Sequence, residues 1–338
     1  MKWFWMTGIL WLIQQGGSSG HIVDSIFKQG EEQPKAQVEE QPKAQAEERL
    51  SVTLRGQNVV VINRTEYASP GFTMVDLDKF DKLVTSLEKQ SYEAPRNAIL
   101  NDQGGIVPDV VGHRLDQKAF TEQFFQYFYG TGSSVIDAPL MNVYPRVDRE
   151  LLADIKEKPI GQYVTYYNGR NKNRSHNIRL AAQAINNTVI FPGESFSFNK
   201  VVGQRTKEKG YMQAPIIVRG ELSEGIGGGI CQVSSTLFNA SDRAGLYIVK
   251  RYSHSRNVPY VRPGRDATVS WNGPDFVFQN RYNQPILIRA QAVPGKMYVA
   301  IYSSDVIEYK PRNVPGMTFG HLPDEVSVTS EGNEPIHY

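Results

Sequence analysis

A chain of 338 residues with a single cysteine, Cys231, cannot close an intramolecular disulfide, so its fold must be held by buried apolar surface. At roughly one domain per 150 residues, the length gives a prior of about two domains, each large enough to bury a core. Hydrophobic residues make up 40% of the chain and charged residues 21%, a globular mixture that argues against wholesale disorder, collagen and a polytopic membrane protein. Lys plus Arg number 37 against 35 Asp plus Glu, and a formal charge of +2 excludes nucleic-acid binding driven by an overall basic excess. The lone thiol is either a packed apolar side chain or a group kept for its chemistry.

Lys2 precedes an apolar run from Trp3 to Ile13, and a Gln, Gly and Ser stretch follows. The run is about half of the 20 or so residues that a bilayer span needs, so residues 1–27 read as an export signal or a short anchor. The expectation is an exported, cell-envelope protein that touches the membrane through this segment if it is not cleaved. From 28 to 50 the composition turns to Glu, Gln, Pro, Lys and Ala, with Glu-Glu-Gln-Pro-Lys-Ala-Gln at 31–37 and again at 39–45. Such a repeat has too little apolar surface to offset the entropy of ordering it, and it reads as a disordered linker.

Two folded regions follow, and both combine helices and strands, so the predicted class is α+β. In residues 51–158, Val59–Ile62 reads as a strand, and Thr73-x-x-Asp76 leads into a helix with Leu77, Phe80, Leu83, Val84 and Leu87 on one face. A hairpin around Asn101–Gly105, a Phe-rich helix over 117–129 and a strand over 135–147 complete a small α+β module without a catalytic constellation of its own. In residues 159–305 the pattern predicts a β-rich region with two helices, at 176–187 and 231–244. Its strands include 163–167, 188–191, 267–271, 276–280, 286–292 and 297–302. Residues 306–338 read as a peripheral tail.

The stretch Gly225-Ile-Gly-Gly-Gly-Ile-Cys-Gln-Val-Ser-Ser-Thr-Leu-Phe-Asn-Ala240 delivers the cysteine to the start of a helix. Unpaired amides and the helix dipole there favour an anion, so the thiol pKa is expected to fall towards the reactive thiolate. Gly227, Gly228 and Gly229 would let a substrate backbone approach, and Gln232 could offer an amide to a developing oxyanion. Ser234 and Arg205 are assigned with them to substrate binding. His254 and Asp266 follow in the order Cys, His, Asp that thiol hydrolases use, with His254 moving the proton and Asp266 orienting it. The alternative keeps Cys231 packed, His254 on backbone and Asp266 in a turn. A competing site is Glu194, whose aromatic surroundings would raise its pKa towards that of a general acid. It could cleave a glycan with Glu224 or Asp266 as second carboxylate, or alone with help from the sugar. The six histidines show no ligand spacing, so no metal and no cofactor are expected.

Several motifs, taken together, carry a resemblance: Asn177-Ile, Pro192-Gly-Glu-Ser-Phe-Ser-Phe-Asn199, Val202-Gly-x-Arg-Thr206, Gly210-Tyr211, Gly227-Gly-Gly-Ile-Cys-Gln-Val-Ser-Ser-Thr-Leu237, His254-Ser255 and Gly264-Arg-Asp-Ala-Thr-Val269. Over residues 160–303 the chain resembles the VanW family, whose name comes from an accessory gene of vancomycin B-type resistance clusters. The segment 94–116 resembles a peptidoglycan-binding module that often precedes an extracellular domain in Gram-positive bacteria. The resemblances imply peptidoglycan as the partner. Enzyme and binding module both stand: a thiol amidase or transpeptidase at Cys231, a glycan-cleaving enzyme at Glu194, or a non-catalytic peptidoglycan or glycopeptide binder.

Overall fold

The computed structural model describes residues 48–218 and 221–317, and the fold is α+β. The expected signal segment, nearly all of the repeat linker and the end of the tail lie outside the described residues. Among the described residues no helix is long and apolar enough to cross a membrane.

The first part of the chain alternates short strands with helices: β1 (Arg49–Leu54), β2 (Gln57–Asn63), α1 (Leu77–Ser91), β3 (Ile99–Leu100), β4 (Ile106–Val107), β5 (Gly112–Leu115), α2 (Gln117–Tyr129), β6 (Ser134–Asp137), β7 (Leu140–Val143) and α3 (Arg149–Ile155). β1 begins inside the expected linker and is the middle strand of a sheet, antiparallel to β2 and parallel to β6. The side chain of Asp76 caps α1 by accepting from the Lys79 amide at 3.2 Å, which satisfies one of the orphan donors at the helix start. The apolar faces of α1 and α2 meet: Phe80 lies 4.6 Å from Phe124, ring centre to ring centre, in a core shared with Leu50, Val52 and Ile136. The single strand expected over 135–147 is two, β6 and β7, because Ala138-Pro139 breaks the run and proline cannot donate to a ladder. Helix α3, capped by Asp148 and buried through Leu152 and Ile155, lies where no helix was expected.

The second part runs β8 (Lys158–Tyr166), α4 (Lys172–Ile185), β9 (Thr188–Ile190), β10 (Ser195–Ser197), α5 (Phe198–Val202), β11 (Gln213–Val218), β12 (Glu221–Ile226), α6 (Ile230–Arg243), β13 (Tyr247–Lys250), β14 (Val277–Gln279), β15 (Ile286–Val293) and β16 (Lys296–Ser303). Its main sheet has the antiparallel order β8-β16-β15-β9. Period-2 alternation splits β15 between two cores: Ile286 and Ile288 join the cluster under α4 and α6, and Leu287 joins Leu100, Leu152 and Ile155 on the reverse face. The sheet therefore carries the site-bearing helix α6 on one side and the first part of the chain on the other. Asn187 ties that seam. Its side chain accepts from the Leu100 amide and donates to the Leu100 carbonyl, each at 3.0 Å, and Arg289 donates to its Oδ1 at 2.7 Å.

Residues 267–271 are not the strand their alternation predicts. Their amides turn to other partners: Ala267 donates to the Ser235 hydroxyl at 2.9 Å, Thr268 to the Tyr252 carbonyl at 2.8 Å and Val269 towards the Cys231 sulfur at 3.5 Å. The segment is an irregular strap across the start of α6.

Candidate thiol site

The glycine loop is dictated by packing. Gly227 and Gly229 take φ values of +86° and +102°, which side chains other than hydrogen rarely adopt. A Cβ on Gly228 would lie 2.5 Å from the Ala214 carbonyl oxygen. Asn177 staples the loop by donating to the carbonyls of Met212 at 2.9 Å and Gly228 at 3.0 Å. The loop therefore has its own backbone as its close partner, and its glycines serve the fold rather than the substrate approach expected of them.

Cys231 is the second residue of α6 and is partly buried. Its thiol meets the strap at the Val269 carbonyl (3.4 Å), the Val269 amide (3.5 Å) and the Thr268 hydroxyl (3.7 Å). The His254 imidazole lies against the same thiol, near enough for each to shift the other's pKa. On its far side, Nδ1 of His254 meets Oδ2 of Asp266 at 2.6 Å, and the His254 backbone amide donates to that oxygen at 2.6 Å. The structure thus brings the three residues together in the order thiol, imidazole, carboxylate, which fixes the ring's tautomer and orientation.

The electrostatics follow from this geometry. Burial pushes the Cys231 thiol up, but the His254 hydrogen bond and charge, helped by Val269 and Thr268, carry it below the ordinary thiol value. Burial pulls His254 down, and the Cys231 and Asp266 partners together raise it above the ordinary imidazole value. Burial acts upward on Asp266 as well, and the two His254 bonds hold its carboxyl below the usual range. All three shifts favour the charged forms, in which a thiolate, an imidazolium and a carboxylate would stabilise one another.

Other expected site residues lie elsewhere or serve the fold. Gln232 is fully buried, donating to the Thr165 hydroxyl and the Tyr166 carbonyl at 3.0 Å each and accepting from Arg174 at 2.7 Å. Its amide is committed, so it is not an oxyanion donor. Ser234 is also fully buried, two residues further along a helix whose residues 232–241 are all buried, and cannot touch a substrate. Glu194 has the opposite pKa shift from the one expected. Burial would raise it, but the Phe191 amide at 3.1 Å and Arg146 at 2.6 Å outweigh that and hold it below the usual carboxylate range. It is an ionised turn residue, and Glu224 lies on an exposed part of β12. Arg205 packs its stem on the glycine loop.

Residue-by-residue reading missed three neighbours. Thr268 and Val269 hold the sulfur through the strap. Tyr260 is buried near Cys231, and burial, helped by the nearby thiol charge, raises its hydroxyl well above the ordinary phenol value. Thr268 and Val269 are part of the motif that begins at Gly264, and that was the available signal. Among the described residues no group of His, Cys, Asp and Glu is arranged to hold a metal ion.

Comparison with known proteins places this geometry in context. The family model described as "VanW like protein" matches residues 173–302, which span the loop, Cys231, His254 and Asp266. The chain is similar to an uncharacterized protein, YoaR, of Bacillus subtilis (strain 168), at 59% identity over 281 residues, covering 82% of this chain and 92% of that protein. It is also similar to the vancomycin B-type resistance protein VanW of Enterococcus faecalis (strain ATCC 700802 / V583), at 33% identity over 115 residues, covering 32% of this chain and 42% of that protein. No solved structure matches.

Proposed function

The chain belongs to the VanW-like family, and from that premise we propose that it is an exported cell-envelope protein whose thiol site transfers acyl groups of peptidoglycan peptides, as an amidase or a transpeptidase. The observation that carries this reading is the His254 imidazole held between the Cys231 thiol and the Asp266 carboxylate. The family match, the short apolar run near the N-terminus and the resemblance of segment 94–116 to a wall-binding module support the location and the polymer.

The chemistry balances with the chain's own groups. The Cys231 thiolate attacks an amide carbonyl carbon, a C–S bond forms, and the carbonyl electron pair moves to oxygen. When that pair returns, the C–N bond breaks and the leaving amine takes the proton from His254, which leaves a thioester. His254 then removes a proton from water or from an incoming amine as it attacks, and the C–S bond breaks to regenerate the thiolate. Asp266 keeps the ring aimed and stabilises its cation throughout. The ionised, salt-bridged Glu194 is unsuited to protonate a glycosidic oxygen, so the glycan-cleaving alternative loses its acid.

The test is digestion of purified Gram-positive peptidoglycan by the full chain, read by mass spectrometry. New peptide ends or cross-links that vanish in Cys231→Ala are expected. Folded protein that sediments with the wall and releases nothing would replace the enzyme with a binding module. New sugar ends would replace the thiol reading altogether.

A further inference from the structure

Beside the loop that delivers Cys231 lies a guanidinium whose two terminal nitrogens have no hydrogen-bond partner among the described residues. The stem of Arg205 packs on Gly227, where an added Cβ would come 3.2 Å from the arginine's own Cβ. Both terminal nitrogens of its guanidinium are buried from water and meet no acceptor, and its plane lies 5.7 Å from the centre of the Phe198 ring. The ionisable groups near it are Tyr211, Cys231 and Asp275. Asp275 spends its two oxygens on the Ser197 hydroxyl at 2.6 Å and the Asn199 amide at 2.9 Å. Tyr211 is kept neutral by burial. A guanidinium taken out of water without a carboxylate is costly, and each buried polar group left unmatched calls for an explanation such as a ligand.

The shape of the group says which ligand. A guanidinium presents a planar fork of donors that matches the two oxygens of a carboxylate. The Arg205 stem packs on Gly227, at the foot of the helix that begins at Ile230, and Cys231 is among the charges that act on its guanidinium, so a carboxylate held there would lie on the thiol's side of the loop. We infer that the Arg205 guanidinium, its stem packed on the glycine loop, forms a carboxylate subsite beside Cys231, so that the substrate presents a free carboxylate, as at the C-terminal end of a short peptide, next to the carbonyl under attack. This rests on the thiol reading above and narrows it from any amide of the wall to one near a chain end.

The experiment uses charge as its probe on the full chain. Anionic iodoacetate and neutral iodoacetamide modify a thiolate by the same displacement: sulfur bonds to the methylene carbon and iodide leaves with the electron pair. The expected result is that Cys231 prefers iodoacetate by about tenfold or more over the ratio shown by a small free thiol, as a charged hydrogen bond would give. Arg205→Met is expected to lose this preference, read as the ratio of the two rates so that a common change in thiol reactivity cancels, and Arg205→Lys to keep part of it. A second measurement needs no variant: N-acetylglycine is expected to shield wild-type Cys231 from iodoacetamide, whereas N-acetylglycinamide is not. The absence of anion preference in the wild type, its survival in Arg205→Met, or equal shielding by the acid and the amide would overturn the subsite and leave the thiol reading standing. A thiol that reacts with neither reagent would overturn both.

Discussion

Oδ2 of Asp266 is bonded twice to His254, once to the ring nitrogen Nδ1 and once to the backbone amide, each at 2.6 Å. A single oxygen therefore fixes both the position of the chain and the orientation of the ring. Both groups sit in an enclosed setting, with side chains only 6% and 8% exposed.

The first prediction follows from that oxygen. Asp266→Asn removes the charge that supports the His254 cation, so the imidazole pKa falls and the thiol pKa rises. In the wild type the ion pair forms as pH rises through the lowered thiol pKa and is lost as pH rises through the raised His254 pKa. The variant's window narrows from both ends. Rates of iodoacetamide modification against pH should show the acid-side limb displaced to higher pH, and turnover should drop by about 100-fold or more. An unmoved acid limb would mean that Asp266 plays no part in the ion pair.

Gln232 supplies a test of stability rather than catalysis. Gln232→Met keeps the volume but removes the acceptor for Arg174 and the donor to Thr165 and Tyr166. A loss of about 2–4 kcal/mol in urea unfolding is expected, from buried bonds of which one is to a charged group. A variant as stable as the wild type would show that these bonds are not made.

Glu194 gives a pH signature. Its folded pKa is lowered, so its contribution to stability is present above the unfolded carboxylate value and is lost as pH falls through the folded one. Glu194→Gln should lower the urea midpoint near neutral pH and converge with the wild type in acid, while iodoacetamide still modifies Cys231 at the wild-type rate. Parallel midpoints at every pH would contradict the Arg146 pairing.

The seam can be tested at Asn187, which sits at φ +62° and bonds Leu100 through both its side-chain atoms. Asn187→Gly keeps the backbone conformation accessible and removes only the side-chain bonds. It should cost about 1–3 kcal/mol, and hydrogen exchange should quicken at the Leu100 amide. Unchanged exchange at Leu100 would show that the seam is held by apolar contact alone.

Much of this was legible in the sequence because local chemistry wrote it there. Asp76 and the spacing of Phe80, Leu83 and Leu87 specify α1 without outside help, and the glycines before Cys231 mark a loop that only glycine can follow. What the sequence hid was settled by distant partners. Gln232 and Ser234 were expected to meet a substrate, yet α6 is buried throughout residues 232–241. Its hydroxyls and amides turn inward, with Thr236 bonded to the Gln232 carbonyl at 2.7 Å and Asn239 to the Arg265 carbonyl at 2.8 Å. Glu194 looked desolvated because its sequence neighbours are aromatic, but Arg146 comes from 48 residues upstream. The alternation over 267–271 resembled a strand because its side chains do alternate, while its amides answer to α6 and Tyr252 instead of a ladder.

β1 is the middle strand of its sheet, with Leu50 and Val52 wholly buried. The chain therefore enters this fold through the centre of a sheet and not along a loose edge. A pull transmitted through the residues before Glu48 would load the β2 and β6 ladders side by side, in shear, so that many hydrogen bonds must fail at once.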